Sequence, residues 1–468
     1  MTLASKQVGL ADLAGSVENA RATSAHTALL DGPVVKPLLM LALPTITMIL
    51  TQIGVGVAEV YYIGRLGTAA LAGASLVFPF YMLMSTMSAG GLGSGVSSAA
   101  ARAMGADRRD DVQRIFAHAI MMALIVGLSF TALMLILGPW IYRSLAGSGA
   151  ALDAAVQYSN IIFAGIVFMW VNNLLGAAFR GIGNPRLPAR IALVGAVIVV
   201  PASPVLIFGL GPIPPMGIAG AAAALVLYQI GAMVALLHRW LTSHGVALDD
   251  FRPRRSIMLD IVRVGVPSSL SAAQTSLMSV VLTGMAARFG TDALAAYGIA
   301  SRLDSTMVPV LFGLASAVLT MSGMNASAGR IDRAQRIAWA GAGLGMIATG
   351  LPGIVFAIWP QLWLGMFSND LQVLAAAAMY LRITAPFYPL LALGFVLSFA
   401  AQGAGHSLWP AVGVTARVVL TVAVGWIAIE MLGFGFPALG VAAVTGLIGY
   451  AAVCFGAMRS GAVWRGRR

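Results

Sequence analysis

Charge is what this sequence has least of. Asp, Glu, Lys and Arg make up 9% of its 468 residues, where soluble domains carry roughly 25%. With 59% hydrophobic residues, the chain has too little polar surface to cover a water-soluble globule and must use lipid as its solvent. That excludes a soluble or periplasmic binding module. A single cysteine, Cys454, excludes an intrachain disulfide. The five histidines are scattered or near span ends, so no metal cluster is expected. No HExxH pair and no P-loop are present. An intramembrane metalloenzyme and ATP-driven transport are therefore disfavoured, and neither enzymatic activity nor a cofactor is expected. Residues 1–30 lack a basic start followed by an apolar core, so no cleaved signal peptide is expected.

What is abundant is glycine, 54 residues, and methionine, 24, as in packed membrane helices whose backbones approach closely. A bilayer crossing needs about 20 apolar residues. Twelve runs reach that length, at approximately 38–64, 70–101, 115–142, 155–179, 187–209, 217–238, 258–287, 294–324, 335–360, 372–401, 410–432 and 438–458. The expected fold class is an all-α polytopic membrane protein. The net charge of +12 does not point to nucleic acid, because the bases sit in short loops between apolar runs. Of the 28 Lys and Arg, 22 fall on one side and only Arg65, Arg143 and Arg288 on the other; Arg302, Arg382 and Arg417 lie within spans. This bias places both termini in the cytoplasm of a bacterial-type inner membrane.

The two halves repeat at an offset of 222–223 residues. "ADRRDDVQRI" (106–115) returns as "AGRIDRAQRI" (328–337), and "GIGNPRLPA" (181–189) as "GAGHSLWPA" (403–411). Pro44 matches Pro267, and Tyr228 matches Tyr450. Each half has six spans, so both run in the same orientation, as two six-helix lobes about a pseudo-twofold axis normal to the membrane. The expected divisions are a polar cytoplasmic tail (1–32), a first lobe (33–238), a cytoplasmic linker (239–257), a second lobe (258–458) and a basic tail (459–468). A substrate site belongs at the interface of such repeats. The GxG turns at Gly181–Gly183 and Gly403–Gly405 lack a preceding strand and read as tight cytoplasmic turns, not phosphate loops.

Acids inside spans are expensive and usually functional. Glu59 lies near the end of the first span, and Gln52, Gly56 and Glu59 share one helical face. Removing a carboxylic acid from water disfavours its ionised form, which can bring its protonation within reach of a proton gradient. The alternative is that Glu59 snorkels to water or pairs with Arg65. Pro44, about four turns earlier, frees a carbonyl and marks a kink, as does Pro267 in the seventh span. A hinge at Pro44 that answers to Glu59 and a fixed kink are both open. Asp304, about ten residues into the eighth span, is the second acid; it either neutralises a cationic cargo or loads a proton, or forms a structural pair with Arg302, Arg382 or Arg417. Asn172 and Asn173 either bridge helices or face a cavity. Gln52 and Gln274 are polar positions echoed in "TQ" at 51–52 and "QT" at 274–275. Phe78, Tyr81, Met82, Phe163, Trp170, Phe387 and Tyr388 are candidates for an adaptable apolar wall, or for core or lipid contact. Glu430 reads as a lone solvated acid.

Five segments resemble the multidrug and toxic compound extrusion transporters, the MATE family. They are "YYIGRLGTAALAG" (61–73), "FRGIGNPRLPA" (179–189), "IFGLGPIPPMGIAGAA" (207–222), "AAYGIASRLD" (295–304) and "QGAGHSLWP" (402–410). The resemblance covers roughly residues 33–458. It implies a V-shaped cleft between the lobes and ion-driven antiport of small lipophilic organic cations by a monomer among membrane lipids. Similar transporters place Asp where this chain has Glu59, and often Glu where it has Asp304. They carry Asn and Asp in the fifth span where this chain has Val199 and Ser203, ahead of Pro204, and one branch carries an acid in the tenth span, which is absent from 372–401. With Glu59 and Asp304 assigned to separate lobes, protons are expected as the coupling ion, with sodium as the alternative. A lipid-linked precursor flippase of related fold is the competing function; it would want a cleft rich in cations.

Overall fold

Every backbone polar group in lipid must find its partner within the chain, which leaves helices as the form for long apolar runs. In the computed structural model, which describes residues 29–146, 148–244 and 247–464, the apolar runs are helical throughout. Most of the N-terminal tail expected at 1–32, and residues 465–468 of the basic tail, lie outside the described residues. Eleven helices are long and apolar enough to cross a bilayer, and a bent pair makes the twelfth. In order the spans are Val35–Gly64, Thr68–Gly105, Arg109–Ala146, the pair Ala150–Ala164 and Ile166–Gly181, Arg186–Phe208, Ile218–His244, Arg255–Ala287, Thr291–Ser327, Ile331–Ile358, Leu371–Gly403, Leu408–Met431 and Pro437–Arg459.

The spans form two six-helix lobes, and both lobes break their fourth helix. Span 4 bends by 45° at Gly165. Span 10 is interrupted by a 3-10 turn, Ala385–Phe387, where Pro386 cannot donate to the helical ladder. Each broken helix ends in the same glycine turn, Gly183 at φ +84° and Gly405 at φ +85°, a conformation that side chains with a Cβ avoid. The repeat is incomplete: span 2 contains a π turn, Met87–Leu92, while span 8 runs unbroken.

The first lobe packs around Phe116, Phe163, Trp170, Phe179 and Trp240, with Trp170 stacked on Phe130 at 5.8 Å. Val318, Ile337, Val396 and Leu397 centre a second-lobe cluster. Span 1 serves both. Its start, at Leu38, Leu41 and Ala42, belongs to that second-lobe cluster, whereas Val55 packs on Ala196, Val199 and Tyr228 of the first lobe.

The lobes join at the end that carries the basic loops. Ser98 donates to the carbonyls of Gln402 and Gly403, Arg102 pairs with Asp260 at 2.7 Å, and Thr320 donates to the Arg180 carbonyl at 3.1 Å. From that joint the lobes diverge as a V. The linker follows the first lobe: the span-6 helix continues to His244, a 3-10 turn covers Leu248–Phe251, and the Arg254 amide donates to His118 Nε2 at 2.9 Å. Glu430 is not alone at the opposite end, since Arg288 forms an ion pair with it.

Candidate functional site

The cleft holds a cavity of about 530 Å³ with walls from both lobes. Span 1 supplies Gln52, span 4 supplies Asn172, Asn173 and Arg180, span 6 supplies Tyr228, and span 8 supplies Tyr297 and Asp304. Span 10 adds Tyr380 and Tyr388, span 11 adds Arg417, and span 12 adds Tyr450. The repeat-related tyrosines, Tyr228 and Tyr450, thus both face the cavity.

Glu59 stands outside this cavity, in the body of the first lobe. It is 3% exposed; it does not snorkel. Arg65 does not pair with it, lying instead over the Phe208 ring at 5.6 Å. The reason is helical phase. Val55, Glu59 and Ile63 recur at four-residue spacing on the inward face of span 1, against span 5. Ser203 stands beside the carboxylate, at the position where the resemblance implies an acid. Neither Glu59 Oε2 nor Ser203 Oγ has a hydrogen-bond partner among the described residues. Leaving a buried polar atom unsatisfied costs about 1–3 kcal/mol, and the adjacent Ser203 hydroxyl is the group nearest to hand for meeting that cost.

Gln52 lies on the same helix and reaches the cavity, while the Gly56 position between them opens on empty space. Pro44 and Pro267 both sit inside continuous helices. Asn172 and Asn173 do both things expected of them. They line the cavity and bridge helices, Asn172 donating to Gln229 at 2.8 Å and Asn173 to Ser88, in the π turn, at 2.7 Å. Tyr81 is half-buried and stands beside Gln229, next to the Asn172 network. Gln274 bonds Thr415 at 3.0 Å, tying span 7 to span 11 beside the cavity rather than on its wall.

In the second lobe Asp304 accepts a hydrogen bond from Tyr388 Oη, and Arg417 is its charged neighbour. Arg302 points away, over the Phe367 ring at 5.6 Å, and Arg382 is exposed. Among the described residues no three His, Cys, Asp or Glu side chains converge as a cation site.

The apolar wall differs from the expected one. Of the seven side chains named for it, only Tyr388 lines the cavity. Phe163 and Trp170 are fully buried in the first-lobe core, while Phe78, Met82 and Phe387 are exposed on the surface. Phe312, Phe395 and Phe399 form the flat surface instead, with Phe395 and Phe399 stacked at 5.0 Å. Arg180 is the charged wall residue that the sequence conceals. It falls in the last turn of span 4, where its neighbours read as a loop. Its signal was the "FRGIGNP" segment, whose glycine turn ends the helix just after it.

A family model described as MatE matches residues 44–205 and 267–427. The chain is 29% identical over 381 residues to the FAD transporter of Shewanella oneidensis, covering 80% of this chain and 82% of that one. It is 26% identical over 405 residues to the probable multidrug resistance protein YoeA of Bacillus subtilis, covering 83% and 87%. Among solved structures, it superposes on an outward-facing multidrug resistance MATE family transporter of the MOP superfamily with a TM-score of 0.86, at 25% identity, over 94% of this chain and 99% of that one. A MOP superfamily transporter from Pyrococcus furiosus gives a TM-score of 0.85 at 25% identity, over 94% and 99%.

Proposed function

Because the chain belongs to the MatE family of multidrug efflux transporters, we propose that it is a secondary antiporter that exports small organic compounds in exchange for protons. The observation that carries this reading is the Glu59 carboxylate, 3% exposed, with an oxygen that has no hydrogen-bond partner and no arginine paired to it among the described residues. A carboxylic acid in such a place is costly when charged and content when protonated. A proton entering from one side and leaving to the other therefore changes the energy of the first lobe. Span 1 carries Glu59 at one end and packs on the second lobe at its other end, with Pro44 between. Loading Glu59 acts through that helix on the angle between the lobes. Glu59 couples; Gln52, Asn172 and Asn173 shape the wall that meets cargo; Tyr81 and Gln274 hold the network behind it.

The separation of Glu59 from Asp304 favours protons over sodium, since among the described residues neither carboxylate belongs to a cluster of acids that could complete an oxygen cage. Relatives that bear multidrug names support export of organic compounds over the flippase reading. The cargo meets an aromatic wall suited to flat rings. A cationic centre, as the family resemblance implies, would have Asp304 as its counter-charge. The excess of basic residues in the loops at the joined end supports a cytoplasmic position for that end, with the cavity opening outward and both termini inside an inner membrane.

The test is dye efflux in everted vesicles, with ethidium and fluorescein, under an imposed proton or sodium gradient. Wild type should respond to the proton gradient, and Glu59→Gln should lose that response while inserting at normal levels. Unchanged proton-driven efflux by Glu59→Gln, or a response to sodium alone, would overturn the reading.

A further inference from the structure

Resting on the exporter reading of this cavity, we propose that the cargo is an aromatic organic anion whose acidic group is held by Arg417, with Arg180 adding to the positive charge of the wall. Three charged side chains line the cavity among the described residues: Arg180, Arg417 and Asp304. Cations outnumber anions on the wall, and the buried Glu59 is elsewhere.

Each of the two arginines also has an Nε without an acceptor among the described residues. Arg180 is 5% exposed and its Nε finds no acceptor among the described residues. It joins no ion pair there either. A buried guanidinium without a counter-charge is among the most costly arrangements a protein holds, and a bound anion removes that cost. Arg417, in span 11, likewise has an Nε with no acceptor. The planar guanidinium fork matches a carboxylate or a phosphate, and the charged hydrogen bonds it makes are the strong ones.

Asp304 is the poorer half of a cation site, because its Oδ1 is already taken by the Tyr388 hydroxyl and its charge is offset by Arg417. Gln402 and Thr421 add an unpartnered Oε1 and Oγ1 to the wall, but neither carries charge. The stacked rings of Phe395 and Phe399, with Phe312 edge-on to Phe399 at 5.6 Å, give the aromatic part of the anion its surface.

Fluorescein and rhodamine 123 share one ring system and carry opposite charge, so they isolate the sign. Binding of each to the purified full-length protein in detergent is followed by fluorescence anisotropy, with no gradient imposed. The proposal expects fluorescein to bind about tenfold more tightly than rhodamine 123, and Arg417→Gln to weaken fluorescein about tenfold while leaving rhodamine 123 unchanged or tighter, a tenfold change being the size of one charged hydrogen bond. Arg417→Lys, which keeps the charge and gives up the fork, should fall between wild type and Arg417→Gln. It also shows whether this position tolerates substitution, with gel-filtration profiles as the check on folding. The proposal is overturned if fluorescein fails to bind, if rhodamine 123 binds as tightly in wild type, or if monodisperse Arg417→Gln holds fluorescein as well as wild type does. Since no gradient enters, failure here leaves proton coupling untouched, and failure of proton coupling in vesicles leaves this binding result standing.

Discussion

Glu59 and Arg180 show what a single residue can and cannot announce. Glu59 stands out because a carboxylate interrupts an apolar run, and every term in the energetics of burial makes such an interruption costly. Its burial and its neighbour Ser203 were not legible, because they depend on the rotation of span 1 against span 5, which no local pattern fixes. Arg180 is the opposite case. It lies one residue from a turn, so it counts with the loop arginines unless the helix-ending glycine turn just after it is noticed, yet it is 5% exposed on the cavity wall. Aromatic residues are harder still, since a ring in an apolar run packs equally well on lipid, core or cavity. Trp170 is such a ring, fully buried and stacked on Phe130. It should matter for stability rather than for cargo. Trp170→Ala should cost about 3–5 kcal/mol, read as a clear drop in the thermal midpoint of the detergent-solubilised protein, while fluorescein affinity in the fraction that stays folded is unaltered. A large affinity loss with an unchanged midpoint would return Trp170 to the cavity wall.

At the scale of elements, the twelve spans were legible nearly to their ends, because helix length in lipid is set by bilayer thickness and by the need to satisfy the backbone internally. The breaks in spans 4 and 10 and the π turn in span 2 were not. They depend on which neighbour a helix must avoid or reach, and the apolar composition continues across them. The joint between the lobes is likewise built from close approach rather than from conspicuous residues. A Cβ at Gly95 in span 2 would stand 2.9 Å from the Gly265 amide nitrogen and 3.0 Å from its Cα in span 7, and real Cβ atoms do not come so close to backbone. Gly95→Ala should therefore force spans 2 and 7 apart and shift the population away from the joined state. Spin labels at positions 108 and 332, on opposite lobes beside the joint, should report a longer mean distance in this variant than in wild type. Identical distance distributions would mean that the joint yields elsewhere.

For the whole molecule, the internal repeat carried the two-lobe architecture, since six spans per half fix the relative orientation of the halves. Which end of the V is joined was not legible, because a transporter samples both arrangements and the contacts that decide between them, such as Ser98 with Gln402 and Arg102 with Asp260, carry no periodic signature. The sign of the cavity charge was also hidden. It is a balance of three residues from three different spans, and only their convergence shows that arginine is in the majority. The central claim, that one buried acid exchanges protons against cargo, is tested most directly by running the exchange backwards. Purified protein in proteoliposomes, in weakly buffered sodium-free medium with the membrane potential clamped, is given a gradient of fluorescein and no proton gradient, and the external pH is recorded. Wild type should move protons opposite to the dye, and Glu59→Gln should bind the dye yet move none. Dye-driven proton movement that is equal in the two proteins, or exchange that begins only when sodium is added, would contradict the account.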